Sequence, residues 1–356
     1  MLTVRLTVAQ GASVRTAGGA DWIGILEAAY RPAVDRRTWL QGVVEAARPA
    51  LDCGFGLHGL CFDPPTPGLP VHPRLTVGLG LPAGFEEVLA QFPERASPEV
   101  VRRIFSAPCG TFSGYTEDLG EEWVFAYLRK AGVGDTLGVL ATDPSGCACM
   151  LTGVLPRATR PSRGQVALWS RIAAHIAAGH RLQQLAEARP AEEALEEAEA
   201  ILDERTRVAH ASGPAEARPA REALREAATR LMHARGKLRR RDAGEAVAAW
   251  RALVAGRWSL VDHFDHDSRR FLVARRNDPR APGLAGLTLR ERQAAGYACL
   301  GHSNKLIAYE LGLSASTVAT YLTRAAAVLG ATTRAGLIER YALGAAQAPS
   351  TEGDGS

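Results

Sequence analysis

The chain carries Gly286-Leu287-Thr288-Leu289-Arg290-Glu291-Arg292, then Gly301-His302-Ser303-Asn304-Lys305-Leu306-Ile307-Ala308, then Ser314-Ala315-Ser316-Thr317-Val318. Thr288 followed by Glu291 is a capping box. The hydroxyl accepts from a first-turn N–H, and the carboxylate reaches back to the cap's own N–H. This predicts a helix to about residue 299, stopped by Gly301. Ser303 or Asn304 caps a second helix, which buries Leu306, Ile307 and Leu311 and exposes Lys305 and Tyr309. Gly312 breaks it, Leu313 plugs the turn, and Ser314 caps a third helix to about residue 329. Val318, Leu322 and Ala325 share one stripe at helical spacing. Ser316, Thr317, Thr320, Tyr321 and Arg324 therefore point outward. Two helices joined by a short turn containing glycine form a helix-turn-helix, whose second helix has the shape to enter a major groove.

From about Leu284 to Tyr341, a sixth of the chain, the residues resemble the LuxR-type (GerE-like) DNA-binding domain. The resemblance rests on Leu-Thr-x-Arg-Glu at 287–291, Ser-Asn-Lys-x-Ile-Ala at 303–308, Ser-x-Ser-Thr-Val at 314–318 and Leu-Gly…Arg-Ala at 329–335. It implies an all-α, four-helix domain with a last helix (333–343) available for dimer contacts. It also implies double-stranded DNA as partner, met by Ser303, Asn304, Lys305, Ser316, Thr317, Thr320, Tyr321 and Arg324.

The departures from the family pattern bear on affinity. The family usually has a basic residue after Thr-Val, a histidine two positions later, and a lysine before Leu-Gly; this chain has Ala319, Tyr321 and Val328. The third helix keeps one cation, Arg324. Residues 284–345 carry six Lys/Arg against three Glu. Each missing phosphate contact removes about one unit of salt slope. Tyr321 can still donate to phosphate, and Thr317 and Thr320 can meet phosphate or a thymine methyl. The expectation is weak binding by one module, made useful by a homodimer on paired half-sites.

At 356 residues the chain has room for two or three domains. With 46% hydrophobic and 22% charged residues it is globular. The net charge of +4 is spread thinly, so no basic platform exists outside the helix-turn-helix. No apolar run of about 20 residues could span a bilayer. Met1-Leu2-Thr3-Val4-Arg5 lacks the basic-then-apolar pattern of a secretory signal. We expect a cytoplasmic protein with no membrane partner, in which disulfides are disfavoured. Cys147 and Cys149 fall on one face of a strand, either as an edge of a metal or redox site or as small buried hydrophobes. The second reading is adopted.

Residues 20–189 alternate helices and strands: helices at 22–30 and 38–51, strands at 54–62 and 75–81 around a Pro/Gly loop at 63–73, and helical pieces at 85–92, 97–105 and 121–129. Strands at 135–141 and 146–155 and a long helix at 163–185 follow. This order resembles a GAF-type α+β sensor and dimerisation domain in pattern only. Such a module can hold a small molecule beside its sheet or be filled by side chains. His58 is read as a core or surface histidine in preference to a haem ligand, and no cofactor is expected. Beyond Pro190, Glu192, Glu193, Glu196, Glu197 and Glu199 form an acidic helix face, either solvated or part of a stalk between protomers.

Residues 195–280 read as a strand pair at 200–211, helices at 220–235 and 243–254, and a hairpin at 258–275. They resemble a small PAS-like α+β unit without a residue-level motif. Asp262, His263, Asp265, His266 and Asp267 could bind a divalent cation, but aspartates in turns have backbone reasons to be there; no metal is expected. Arg235, Lys237, Arg239, Arg240 and Arg241 either reach DNA phosphates or form a solvated helix end. Residues 346–356 are expected to be a disordered tail.

The fold class is thus multidomain: a GAF-like α+β domain, a PAS-like unit over 195–280, and a four-helix unit over 284–345. No acidic phospho-receiver pattern, no Gly-x-x-x-x-Gly-Lys-Ser/Thr loop, no alignable acyl-lactone pocket and no nucleophile–base pair occur, so an enzyme is not expected. The chain reads as a DNA-binding transcription regulator with a sensory N-terminal region. The alternative is a protein-interaction regulator that keeps the helix-turn-helix fold with little DNA affinity.

Overall fold

A computed structural model describes residues 20–63, 71–119, 122–146, 148–187, 198–264 and 269–347. Two aspartates start the first helices among the described residues. Asp21 accepts from Gly24 N (3.1 Å) ahead of α1 (Trp22–Ala29), and Asp35 accepts from Thr38 N (2.7 Å) ahead of α2 (Arg36–Leu51). Each satisfies an N–H that the first helical turn leaves without a partner.

Five antiparallel strands follow: β1 (Leu57–Phe62), β2 (Pro73–Leu79), β3 (Cys109–Thr111), β4 (Asp135–Thr142) and β5 (Ala148–Leu155), in the order β2-β1-β5-β4-β3. Alternation along the strands gives the sheet two apolar faces. Leu57, Cys61, Leu137, Val139, Cys149 and Leu151 pack with α1, α2 and α7 (Arg163–Glu187). Gly59 and Gly153 let α2 lie directly on the strands: a Cβ at Gly153 would meet Leu51 O at 2.6 Å. On the other face Val154 joins Phe85, Val100 and Phe112 beneath α3 (Phe85–Arg95), α4 (Pro98–Phe105), α5 (Phe112–Tyr115) and α6 (Glu122–Lys130).

Four more strands form a second antiparallel sheet: β6 (Ala198–Leu202), β7 (Val208–Ala211), β8 (Trp258–Phe264) and β9 (Arg270–Arg276), ordered β7-β6-β9-β8. Helices α8 (Arg218–His233) and α9 (Ala243–Ala249) separate its two strand pairs. One apolar core runs from α1 and the first sheet through Leu224, Trp250, Leu260 and Leu272 of the second unit. The N-terminal α+β region is therefore packed as one body.

Helix α7 is the spine of that body. Its Arg181 pairs with Asp143 in the β4–β5 turn and donates to Asn277 O (3.0 Å) and Oδ1 (2.9 Å) beyond β9. Asn277 Nδ2 in turn donates to Ala178 O (3.0 Å) and Ser259 Oγ (2.8 Å). A buried guanidinium is tolerable only with such partners.

The last four helices are α10 (Leu289–Cys299), α11 (Asn304–Leu311), α12 (Ala315–Val328) and α13 (Arg334–Gln347). They have their own core of Ala294, Ile307, Leu311, Val318, Leu322, Ala325, Leu337 and Tyr341.

Several expectations change at their edges. β1 starts at Leu57 because Gly54 and Gly56 both take φ +91. β2 covers 73–79 in place of 75–81, and β3 was too short to show a period. α9 stops at Ala249, where Trp250 leaves the helical region with ψ 110 and buries its ring. The basic cluster is divided: Arg235 and Arg239 are spent within the fold, and Lys237, Arg240 and Arg241 are exposed. Arg235 pairs with Asp262 and Glu27, and Arg239 pairs with Asp21 and Glu27. Glu199 belongs to β6 and accepts from Arg257 and Trp258. Asp262 accepts from Arg235 and Arg270. Cys147, the acidic stretch 192–197, the turn 265–267 and tail residues 348–356 lie outside the described residues. Among the described residues no helix is long and apolar enough to cross a membrane, and no group of three His, Cys, Asp or Glu is placed to hold a metal ion.

Candidate nucleic-acid interface

The capping box forms at the start of α10: Glu291 N donates to Thr288 Oγ1 (3.4 Å) and Thr288 N to Glu291 Oε2 (2.9 Å). Ser303 Oγ accepts from Leu306 N (3.3 Å) to open α11, and Ser314 Oγ accepts from Thr317 N (3.0 Å) to open α12. Gly312 ends α11 at φ +62, a left-handed cap that glycine adopts without a Cβ penalty. These local devices set α12 across α11 through a short turn, as the residue order requires.

Buried Val318, Leu322 and Ala325 fix the rotation of α12. Ser316, Thr320 and Arg324 consequently face solvent, while Thr317 and Tyr321 are half-buried. Ser316 Oγ and Thr317 Oγ1 both lie 2.8 Å from Ser314 Oγ, and Thr320 Oγ1 donates to Ser316 O (3.1 Å). The ring of Tyr321 rests against the domain core. On α11, Ser303 and Lys305 are exposed. Asn304 is half-buried and accepts from Arg334 Nη1 (2.8 Å). The eight residues anticipated from sequence thus lie on or beside the outer surface of α11 and α12, with Asn304 and Tyr321 the least available.

Charge on this surface is thinner than the residue count suggests. Arg290 donates to Gly256 O (2.7 Å) and Ala255 O (3.0 Å), closing a tight turn of the N-terminal region. Arg334 donates to His302 O (2.6 Å) and Arg340 to Leu329 O (2.7 Å). Lys305 and Arg324 are the exposed cations on α11 and α12. Each could neutralise about one phosphate.

Tyr309 reverses its expected placement. Helical spacing alone puts it outside, but it is 4% exposed because the N-terminal body covers that side of α11. Its hydroxyl lies 2.6 Å from both Val247 O and Trp250 O and 2.7 Å from His175 Nε2. His175 Nε2 also meets Trp250 O (3.0 Å), and its Nδ1 meets the Tyr30 hydroxyl (2.9 Å). The carbonyl beside Nε2 selects the neutral tautomer protonated there, with Nδ1 accepting from Tyr30. Burial lowers the His175 pKa to about 3 and raises that of Tyr309 well above the ordinary phenol value, so both stay neutral.

A second buried pair, His302 Nδ1 and Glu310 Oε2 (2.9 Å), braces α11 from inside the helical domain. Burial raises the Glu310 carboxyl above its ordinary value, opposed by His302. Sequence reading missed Tyr309, His175 and Arg290 as connecting residues. No local signal marked them, because their partners are contributed by the N-terminal body.

Comparison with known proteins places the C-terminal part in a family. The model of the family described as "Bacterial regulatory proteins, luxR family" matches residues 285–341. A Pseudomonas aeruginosa protein whose name places it among transcriptional regulators is 35% identical over 101 residues. That match takes in 28% of this chain and 47% of the relative, so only about half of the relative's length is matched. The crystal structure of Escherichia coli SdiA aligns over 82% of this chain and 84% of that chain at 10% identity. Its TM-score of 0.26 is too low to carry an argument about fold. The C-terminal part of the chain, residues 285–341, is a helix-turn-helix domain of the luxR family of bacterial regulatory proteins.

Proposed function

We propose that this chain is a transcription regulator that binds double-stranded DNA as a homodimer, its N-terminal region controlling the helix-turn-helix output. The observation that carries this reading is the direction of the contact between the two parts. The N-terminal body holds α10 and α11 from behind, through Arg290 and Tyr309, while Ser316, Thr320 and Arg324 of α12 face solvent. A groove could therefore receive α12 while the body stays in place. In this reading Ser303, Asn304, Lys305, Thr317 and Tyr321 complete the contact surface. The region 20–189 acts as a GAF-like sensor and dimerisation unit, with 195–280 as its PAS-like companion and 284–345 as the output. Two antiparallel sheets flanked by helices support that division.

The test is a mobility-shift titration of the full chain against genomic fragments at two salt concentrations. A DNA regulator gives a sequence-dependent shift that weakens as salt rises. The triple substitution Thr317→Ala, Thr320→Ala, Arg324→Ala should remove sequence preference with an unchanged circular dichroism spectrum. No shift even at low salt would favour the protein-interaction reading, which Ala319 and Val328 motivate by replacing cations.

A further inference from the structure

Helix α7 and the inner face of the first sheet bring together two cysteines 88 positions apart in sequence. Cys61 of β1 and Cys149 of β5 are register partners, and the register runs unshifted from Leu57↔Gly153 to Phe62↔Ala148. In the same strand pair Val154 N donates to Gly56 O (3.2 Å). Hydrogen-bonded and non-hydrogen-bonded pairs alternate along an antiparallel ladder. An odd number of steps from Gly56 makes Cys61 and Cys149 a non-hydrogen-bonded pair. Such pairs hold their Cα atoms about 4.5 Å apart, within the roughly 4.4–6.8 Å that a disulfide spans. Directly opposed residues also point to the same face.

Both thiols are buried, Cys61 at 4% and Cys149 at 0% exposure, and the groups around Cys61 favour its thiolate. His180 of α7 lies against Cys61 with its ring stacked on Trp39 at 5.1 Å, and neither ring nitrogen has a well-formed hydrogen bond. Hydrogen bonding with Cys149, contact with His180 and the nearby Arg36 charge hold the Cys61 thiol below its ordinary range despite burial. Cys109, buried without such neighbours, is pushed up to about 12.

We propose that Cys61 and Cys149 form a redox-active dithiol that hydroperoxides oxidise to a cross-strand disulfide. The Cys61 thiolate attacks one peroxide oxygen: an S–O bond forms, the O–O bond breaks, and the departing hydroxide takes up a proton as water. Cys149 sulfur then attacks the sulfenic sulfur: the S–S bond forms, the S–O bond breaks, and hydroxide leaves as water with the Cys149 proton. Two thiols lose two electrons and two protons, and hydrogen peroxide becomes two waters. This goes beyond the DNA-binding reading and does not depend on it. Because His180 shares α7 with His175 and Arg181, the site also sits on the helix that holds the helix-turn-helix.

The experiment treats the full chain with hydrogen peroxide under native conditions, blocks remaining thiols, and maps peptides without reduction. A Cys53→Ser background removes an exposed thiol that could link two chains. The expected result is a Cys61–Cys149 peptide pair, absent after dithiothreitol and absent in Cys61→Ser. Finding Cys147–Cys149 linkage, intermolecular links only, or no disulfide overturns the proposal. If Cys61→Ser fails to fold, Cys149→Ala serves as the second control, and the map of the parent chain still decides. Neither outcome bears on whether DNA binds, so the two readings fail separately.

Discussion

His175 Nε2 on α7 and the Tyr309 hydroxyl on α11 lie 2.7 Å apart, fully enclosed between the N-terminal body and the helix-turn-helix. Tyr309→Phe keeps the ring and removes that hydroxyl, leaving the Val247 carbonyl without this donor. A buried polar group left unsatisfied costs about 1–3 kcal/mol. The denaturant midpoint should fall by that free energy divided by the slope, with the slope itself unchanged. Proteolysis between residues 278 and 287 should accelerate as the domain loosens. An unchanged midpoint would show that the network does not hold the two parts together.

The same histidine makes stability depend on pH. Burial lowers the folded pKa of His175 from 6.5 to about 3, so the unfolded state binds the extra proton between those values. Its contribution is present above pH 6.5 and is lost as pH falls toward 3, by about 2 kcal/mol between pH 8 and pH 5. His58, held at about 4 by burial, acts with the same sign. Glu310, raised by burial, acts with the opposite sign and offsets part of the loss. The Trp250 carbonyl, which accepts from His175 Nε2, acts on that histidine in the opposite direction to burial and is the smaller effect. Unfolding midpoints at pH 5 and pH 8 should differ less in His175→Gln than in the parent chain.

Gly312 has two demands on it. Its φ is +62, and an added Cβ would overlap the Leu253 carbonyl oxygen. Gly312→Ala should cost about 2–4 kcal/mol, combining left-handed strain with a displaced contact. Gly42, inside α2 with nothing within 4 Å of an added Cβ, is the control. Gly42→Ala should stabilise by about 0.4–1 kcal/mol. Thermal melts of both variants check the pair.

Cations that look alike in sequence should separate by salt dependence. Lys305→Ala and Arg324→Ala should each reduce the slope of log affinity against log salt by about one. Arg290→Ala should leave the slope alone and lower the unfolding midpoint, because its guanidinium is bound to Ala255 O and Gly256 O. Fluorescence anisotropy with a labelled duplex at four salt concentrations distinguishes them. An equal slope change for all three would place Arg290 on DNA.

Local signals carried the helical domain. Thr288 with Glu291, Ser303, Gly312 and Ser314 each act within four residues, so their caps and turns could be read directly and formed as expected. The stripe of Val318, Leu322 and Ala325 fixed which side of α12 faces inward for the same reason. The N-terminal strands and helices were also legible as elements, since period-2 and 3.6-residue patterns are local. How the two strand pairs of residues 198–276 join into one sheet was not, because β6 pairs with β9 across 67 intervening positions.

By itself, then, the sequence determined the helix-turn-helix, its thin positive charge and the α+β character of the region before it. Only the tertiary structure decided which face of α11 is covered, that Arg290 serves the fold, and that Cys149 lies opposite Cys61. Capping and amphipathic spacing are set by neighbours a turn away. Burial of Tyr309 and the meeting of two strands depend on surfaces contributed by residues more than 50 positions distant, and no local pattern records them.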